Sequence, residues 1–351
     1  MNEVQQKVGI KDSTATRDSN MELLRIIAML LVLVVHSCFK SLGYPTTEEA
    51  IANPTYIFLR YLVESASVIC VNVFILLSGW YGIKARINSF SKFVFQVLFF
   101  SIGFFAYHFI SNLPTVSFDG IGSILALKGS DYWFVKSYIG LYILAPVLNM
   151  YVEKASKEQL RNTLIAFYTF QSIYGWYTSG ASWFELGYST ISFLGLYLLG
   201  RYVRLYQPSY SKYSYKTDLF LYAIIVFATA ISGFTLTYSG HEMDNIIYEY
   251  SSPFIILSSL FFLLAFSKMH IQSKMINWIA ASAFAAYLFH TNRFFFDTIY
   301  CKKIAVWSNN MDTILFALYT LTWIILVFIV AILIDKIRII CWNRIEKILY
   351  L

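Results

Sequence analysis

Residues 20–37 read Asn20-Met21-Glu22-Leu23-Leu24-Arg25-Ile26-Ile27-Ala28-Met29-Leu30-Leu31-Val32-Leu33-Val34-Val35-His36-Ser37. From Leu23 to Val35 this stretch carries a single charge, and the apolar character continues to about residue 42. Some 20 residues at about 1.5 Å each cover a hydrocarbon core of about 30 Å. The whole chain repeats that character: of 351 residues, 58% are hydrophobic and only 13% charged. Soluble domains carry about 25% charged residues. Fifty-eight per cent of 351 residues fills roughly ten spans of about 20 residues. Soluble, fibrous and disordered classes are therefore excluded.

Apolar runs are expected to cross the bilayer near 23–42, 56–80, 90–112, 133–150, 160–178, 187–206, 218–238, 251–267, 278–297 and 312–334. They must be helices, because open sheet edges leave backbone groups unsatisfied in lipid and the runs exceed the length of barrel strands. The expected fold class is all-α, a polytopic transmembrane helical bundle of about ten spans. Its layout is an N-terminal tail over 1–22, a membrane domain over 23–334 and a basic tail over 335–351.

Net charge is +7, but its location says more than its size. Nineteen of the 27 basic residues fall in one alternating set of loops and tails: Lys7, Lys11, Arg17; Lys84, Arg86, Lys92; Lys154, Lys157, Arg161; Arg201, Arg204, Lys212, Lys216; Lys268, Lys274; Lys336, Arg338, Arg344 and Lys347. The other set holds only Lys40, Lys128, Lys302 and Lys303. By the positive-inside rule both termini are expected in the cytoplasm. The surplus thus encodes orientation, and no nucleic-acid partner is expected. Cys38, Cys70, Cys301 and Cys341 are scattered, without metal-ligand spacing, so no metal is expected. A cleavable signal peptide is not expected either, since a polar stretch precedes the first span.

Ionisable side chains inside spans are costly, and each is a functional candidate. Arg25 and His36 are eleven residues apart, three turns plus about 20°, so they share one helix face with about 16 Å between them. The alternatives are an Arg25 that snorkels to lipid phosphates and a His36 that hydrogen-bonds a neighbouring helix. Glu64 and His290 each fall about 10 Å from the surface nearer His36. His36, Glu64 and His290 can meet in one layer, where a carboxylate would fix an imidazole's tautomer. Glu64 can equally pair with Arg60, one turn away. Ser78-Gly79, at the other end of the second span, allows close approach of a ligand, and Lys84 and Arg86 beside it suit a phosphorylated cytosolic molecule. Tyr132, Trp133, Trp176, Tyr177, Trp183 and Tyr188 suit sugar stacking or an interfacial aromatic belt.

Together these segments resemble the membrane-bound acyltransferase family 3, whose members O-acetylate bacterial surface polysaccharides and related acceptors. Arg25 and His36 match its Arg-x10-His pattern, and VFILLSGW (73–80) its Ser-Gly-aromatic segment, with Trp80 where phenylalanine is usual. YWFVKSYIGLYILAPVLN (132–149) and AAYLFH (285–290) match two more segments in order. By position, Ser78, Gly79, Trp133, Tyr142, Pro146 and His290 correspond to recurrent motif residues. The resemblance implies acetyl-CoA or another acyl-CoA as donor and a surface glycan or lipid-linked oligosaccharide as acceptor. A multi-pass protein of the bacterial cytoplasmic membrane is expected, with membrane lipid around it; a further reading is a structural partner of polysaccharide assembly proteins. Some relatives carry an extra hydrolase-like domain, which is not expected here.

The expected chemistry follows. Arg25, Ser78, Gly79, Lys84 and Arg86 hold the donor, and Trp133 and Tyr142 contact the acceptor. His36 is general base or acylated nucleophile, assisted by Arg25, Glu64 and His290. The competing reading is a proton-coupled exporter or flippase of a glycan or lipid-linked sugar.

Overall fold

The computed structural model describes residues 18–111, 132–178, 182–241 and 246–349. Lys7, Lys11, Arg17 and Lys128 of the charge pattern, and most of the expected N-terminal tail, lie outside these residues. Among the described residues every regular element is helical. The main helices are α1 (Ser19–Ser37), α2 (Pro54–Ser67), α3 (Cys70–Tyr81), α4 (Ile87–Ser111), α5 (Trp133–Lys154), α6 (Lys157–Phe170), α7 (Thr190–Tyr206), α8 (Tyr215–Tyr238), α9 (Pro253–Ser267), α10 (Lys274–Ala280), α11 (Phe284–His290), α12 (Cys301–Asn310) and α13 (Thr313–Leu349). The chain is an all-α, multi-pass membrane bundle.

Polar side chains start several of these helices by accepting from backbone N–H groups that have no intrahelical partner. Thr46 with Glu49, and Ser156 with Gln159, form reciprocal capping boxes. Ser189, Ser214 and Ser273 cap α7, α8 and α10. Pro54 and Pro253 open α2 and α9, where a missing N–H costs nothing. Pro146 lies inside α5, eight residues before its end.

Among the described residues, seven stretches are long and apolar enough to cross a membrane: Ser19–Leu42, Pro54–Tyr81, Ile87–Tyr107, Trp133–Lys154, Tyr215–Tyr238, Ile246–Ser267 and Thr313–Ile348. The other three expected spans are helical but less simple. The fifth combines α6 with a π-helical turn over Gln171–Tyr177, and α7 has 17 residues. The ninth is interrupted at Ala281–Ala283 by tight turns, Ser282 N–H to Ile279 O and Ala283 N–H to Ala280 O. It stops at His290 rather than running to 297, because the chain turns at Thr291 and Asn292 into Arg293–Phe295 and a π turn over Phe296–Tyr300. The second span is likewise interrupted, at Val68–Ile69, where Ser67 Oγ donates back to the Val63 and Glu64 carbonyls.

Helix α1 is the hub. It packs against α2, α3, α9, α10, α11 and α13, and Leu24, Ala28 and Leu33 are fully buried. Around it, α3 crosses α7 and α5 flanks α7, while α8 joins α2 to α9. The α3–α7 crossing is the tightest. A Cβ on Gly79 would strike the Tyr197 carbonyl, and one on Gly200 would come within 2.5 Å of the Leu76 carbonyl and 3.1 Å of Gly79 Cα. Small residues at both positions let the two backbones touch.

Gly79→Ala and Gly200→Ala are each expected to destabilise the bundle by about 1–3 kcal/mol through overpacking. Gly103→Ala, where nothing lies within 4 Å, is expected to be neutral or stabilising by up to about 1 kcal/mol. Thermal unfolding in detergent would show the first two melting lower than wild type and the third not.

Candidate active site

The two histidines meet although 254 residues separate them. His36 comes from the last turn of α1 and His290 from the end of α11. Their Nδ1 and Nε2 atoms are 2.8 Å apart. His290 is fully buried, and its Nδ1 lies 2.5 Å from the Ala286 carbonyl one turn back. A carbonyl only accepts, so Nδ1–H of His290 donates to it. With both rings neutral, His290 Nε2 carries a lone pair and accepts Nδ1–H of His36. The remaining nitrogen of His36, Nε2, is then an available base. The tautomer is thus set by a backbone carbonyl through a second imidazole.

The rings are wedged by aromatic neighbours. Phe296, in the π turn, stands edge-on to His36 at 5.2 Å, and Tyr300 lies 5.4 Å from His290. Tyr300 also shares a 2.7 Å hydrogen bond with Ser37 and lies 2.7 Å from the Leu33 carbonyl. Tyr132 Oη donates to the Leu288 carbonyl at 2.8 Å, steadying α11. Ser41 Oγ donates to the carbonyl of His36 itself at 2.6 Å.

Glu64 is buried nearby but is engaged with the backbone. Its Oε2 accepts from Phe39 N–H at 3.3 Å, three residues beyond His36, so its partner is the turn that ends α1 and not the imidazole. Arg60 does not take up the carboxylate either. It donates to the Gly43 carbonyl at 2.5 Å and lies 3.9 Å from Glu49. Arg293 and Asp297 form an exposed pair 3.9 Å apart.

At the far end of α1, Arg25 donates to Glu22 one turn back on the same helix. Its charge also acts on the hydroxyls of Tyr81 and Tyr138. Tyr138 Oη is 3.5 Å from Ser78 Oγ, so Arg25, Ser78 and Tyr138 gather at one place. Gly79, next to Ser78, spends its missing side chain on the contact with Tyr197. Trp80 packs beneath Arg204, whose guanidinium lies 4.9 Å from the ring centre.

Gly82, at φ 76°, ends α3 in the left-handed conformation that favours glycine. It opens the short loop that carries Lys84 and Arg86. Tyr142 holds this loop: its hydroxyl accepts from Arg86 N–H at 3.0 Å and lies 2.9 Å and 3.3 Å from the Arg86 and Lys84 carbonyls. Asn149 Nδ2 donates to the Ile83 carbonyl at 2.9 Å, and Tyr197 Oη accepts from Ile83 N–H at 3.0 Å. Tyr197 in turn donates to Asn149 at 2.6 Å. Tyr142 and Asn149 are seven residues apart, two turns of α5, and so share a face. An open cleft of about 240 Å³ lies against Arg86, Phe90, Tyr142 and Ile143.

Trp133 sits at the other end of α5, 4.5 Å from Tyr188 and stacked on Tyr250 at 5.8 Å. Trp133 and Tyr142, expected to act together on an acceptor, are nine residues and about 14 Å apart along one helix, and Tyr142 serves the Lys84–Arg86 loop. Sequence reasoning missed Tyr138, Tyr197 and Tyr300. For Tyr138 the signal was available, since it lies one turn from Tyr142.

The membrane domain thus carries paired histidines at one end of α1 and a group of cationic residues towards the other. The sequence model of one family, described as an acyltransferase domain (Acyl_transf_3), matches residues 18–336. The chain belongs to this family and is a membrane acyltransferase. No curated protein and no solved structure matches it.

Tyr142→Phe removes the shared partner of the Lys84–Arg86 loop, at about 1 kcal/mol per hydrogen bond. Trypsin is expected to cut after Lys84 or Arg86 several-fold faster in this variant. An unchanged cutting rate would show that Tyr142 does not hold the loop.

Proposed function

We propose that the chain transfers an acetyl group from cytosolic acetyl-CoA to a hydroxyl of a bacterial surface polysaccharide or its lipid-linked precursor, within the cytoplasmic membrane. The observation that carries this reading is the Ala286 carbonyl–His290–His36 relay, which leaves His36 Nε2 as a base on the helix that also bears Arg25. Arg25 with Ser78 and the loop of Lys84 and Arg86 would receive the donor's phosphates and pantetheine arm. The span of about 16 Å from Arg25 to His36 is comparable to an extended pantetheine.

In this reaction His36 Nε2 takes the proton of the acceptor hydroxyl as its oxygen attacks the thioester carbonyl. The C–S bond then breaks, and the imidazolium returns its proton to the departing thiolate, giving an ester and CoA. His290 keeps the hydrogen bond from His36 Nδ1–H throughout. It is therefore a positioning residue that stabilises the transient imidazolium, as an oriented acceptor does in other acyl-transfer sites. Glu64 supports the same step from one position further away, by holding Phe39 N–H and with it the turn that follows His36.

His36→Ala is expected to abolish acetylation of extracted glycan, read by NMR of the acetyl signals, while the protein still inserts into the membrane. Normal acetylation by that variant sinks the assignment. Loss of the protein should remove acetyl groups and leave the polymer. Disappearance of the polymer would instead support export.

His290→Ala is expected to lower kcat by about 10²-fold or more, within the usual reach of general acid–base catalysis, with the KM for acetyl-CoA little changed. His290→Gln, which can still accept from His36, should lose less. Equal losses in the two variants would remove the relay from the mechanism.

A further inference from the structure

Four polar groups from separate parts of the chain gather at the end of the bundle where α1 ends and leave their hydrogen-bonding capacity unused. Tyr44 follows α1, Trp133 opens α5, Tyr188 precedes α7 and Glu249 precedes α9. Glu249 Oε2 is buried and has no hydrogen-bond partner among the described residues. The Tyr44 and Tyr188 hydroxyls and the Trp133 indole N–H likewise make no hydrogen bond there. The Glu249 charge acts on both tyrosines. Trp133 and Tyr188 are 4.5 Å apart and both lie against Tyr250. Tyr44 is 52% exposed, and its ring packs at 5.1 Å on Phe39, three residues after His36.

A buried carboxylate oxygen without a donor is costly, and a ligand that brings hydroxyl donors relieves the cost. Flat aromatic faces at the same place match the C–H face of a pyranose ring, while the Tyr and Trp polar tips offer further donors and acceptors. We propose that Trp133, Tyr188, Tyr44 and Glu249 form the acceptor subsite, taking one neutral sugar ring with a hydroxyl pair on the Glu249 carboxylate and presenting a neighbouring hydroxyl to His36. This rests on the acyltransfer reading above and adds the acceptor's recognition to it. It makes Glu249 a specificity-determining residue: a ring lacking the paired hydroxyls leaves the carboxylate unsatisfied and is rejected.

The test uses the full chain in lipid nanodiscs, with acetyl-CoA as donor. The acceptor is surface glycan from cells carrying the protein, stripped of its esters by mild alkali. Glu249→Ala is expected to raise the KM for this glycan about tenfold or more, Glu249→Gln and Tyr188→Phe less, and the KM for acetyl-CoA to stay within about twofold. Glu249→Gln keeps the side chain's shape, so it decides the matter if Glu249→Ala does not fold. A glycan KM within twofold of wild type in the folded Glu249 variants, with wild type active, overturns the subsite and leaves the acyltransfer reading standing. A wild-type protein that binds acetyl-CoA yet acetylates no glycan overturns that reading, and the subsite with it.

Discussion

The hydrogen bond between His36 and His290 is the contact around which the rest of the site is arranged. An imidazole is a useful base only if one nitrogen is committed and the other is free. The commitment has to come from a fixed partner. Here it comes from a lone pair of the Ala286 carbonyl, one turn back on α11, passed on through His290. His290 is the last residue of α11, where Thr291 and Asn292 turn the chain away, and His36 lies in the last turn of α1, where Glu64 holds the turn at Phe39.

Helix α1 also connects this end of the bundle to Arg25. Both residues lie on one face, yet their surroundings are different. His36 lies against Phe296 and His290, whereas Arg25 sits among Glu22, Tyr81, Ser78 and Tyr138. Helix α5 runs alongside with a matching division, its Tyr138, Tyr142 and Asn149 serving the Arg25 end and its Trp133 the other. Two rods with functional groups at both ends suit the acyl transfer proposed above, in which a long donor and its acceptor approach from different sides.

The interruptions of the second and ninth spans bear on the same design. Each replaces regular helix by a tight turn at small or hydroxylated residues, Ser67 in one case and Ala281-Ser282-Ala283 in the other. Hydropathy does not register them, because the residues are themselves apolar or small. Their effect is geometric: they let α2 and α11 take directions that an unbroken helix through the same residues would not.

The sequence by itself determined the membrane-helical class, the positions of nearly all the helices and the pairing of Arg25 with His36 on one face. Those properties depend on local composition and on the 3.6-residue period, which any reader of the chain can count. It also carried the motif that joins the chain to its family. Only the tertiary structure decided that His290 rather than Glu64 partners His36, since equal depth in the membrane does not tell which helices touch. The same holds for Tyr142, whose hydroxyl is spent on the Lys84–Arg86 loop, and for Gly79, whose missing side chain admits α7. Tyr300 and Glu249 had no signal at all in the sequence, because what distinguishes them is the neighbour each meets, or lacks, across the fold.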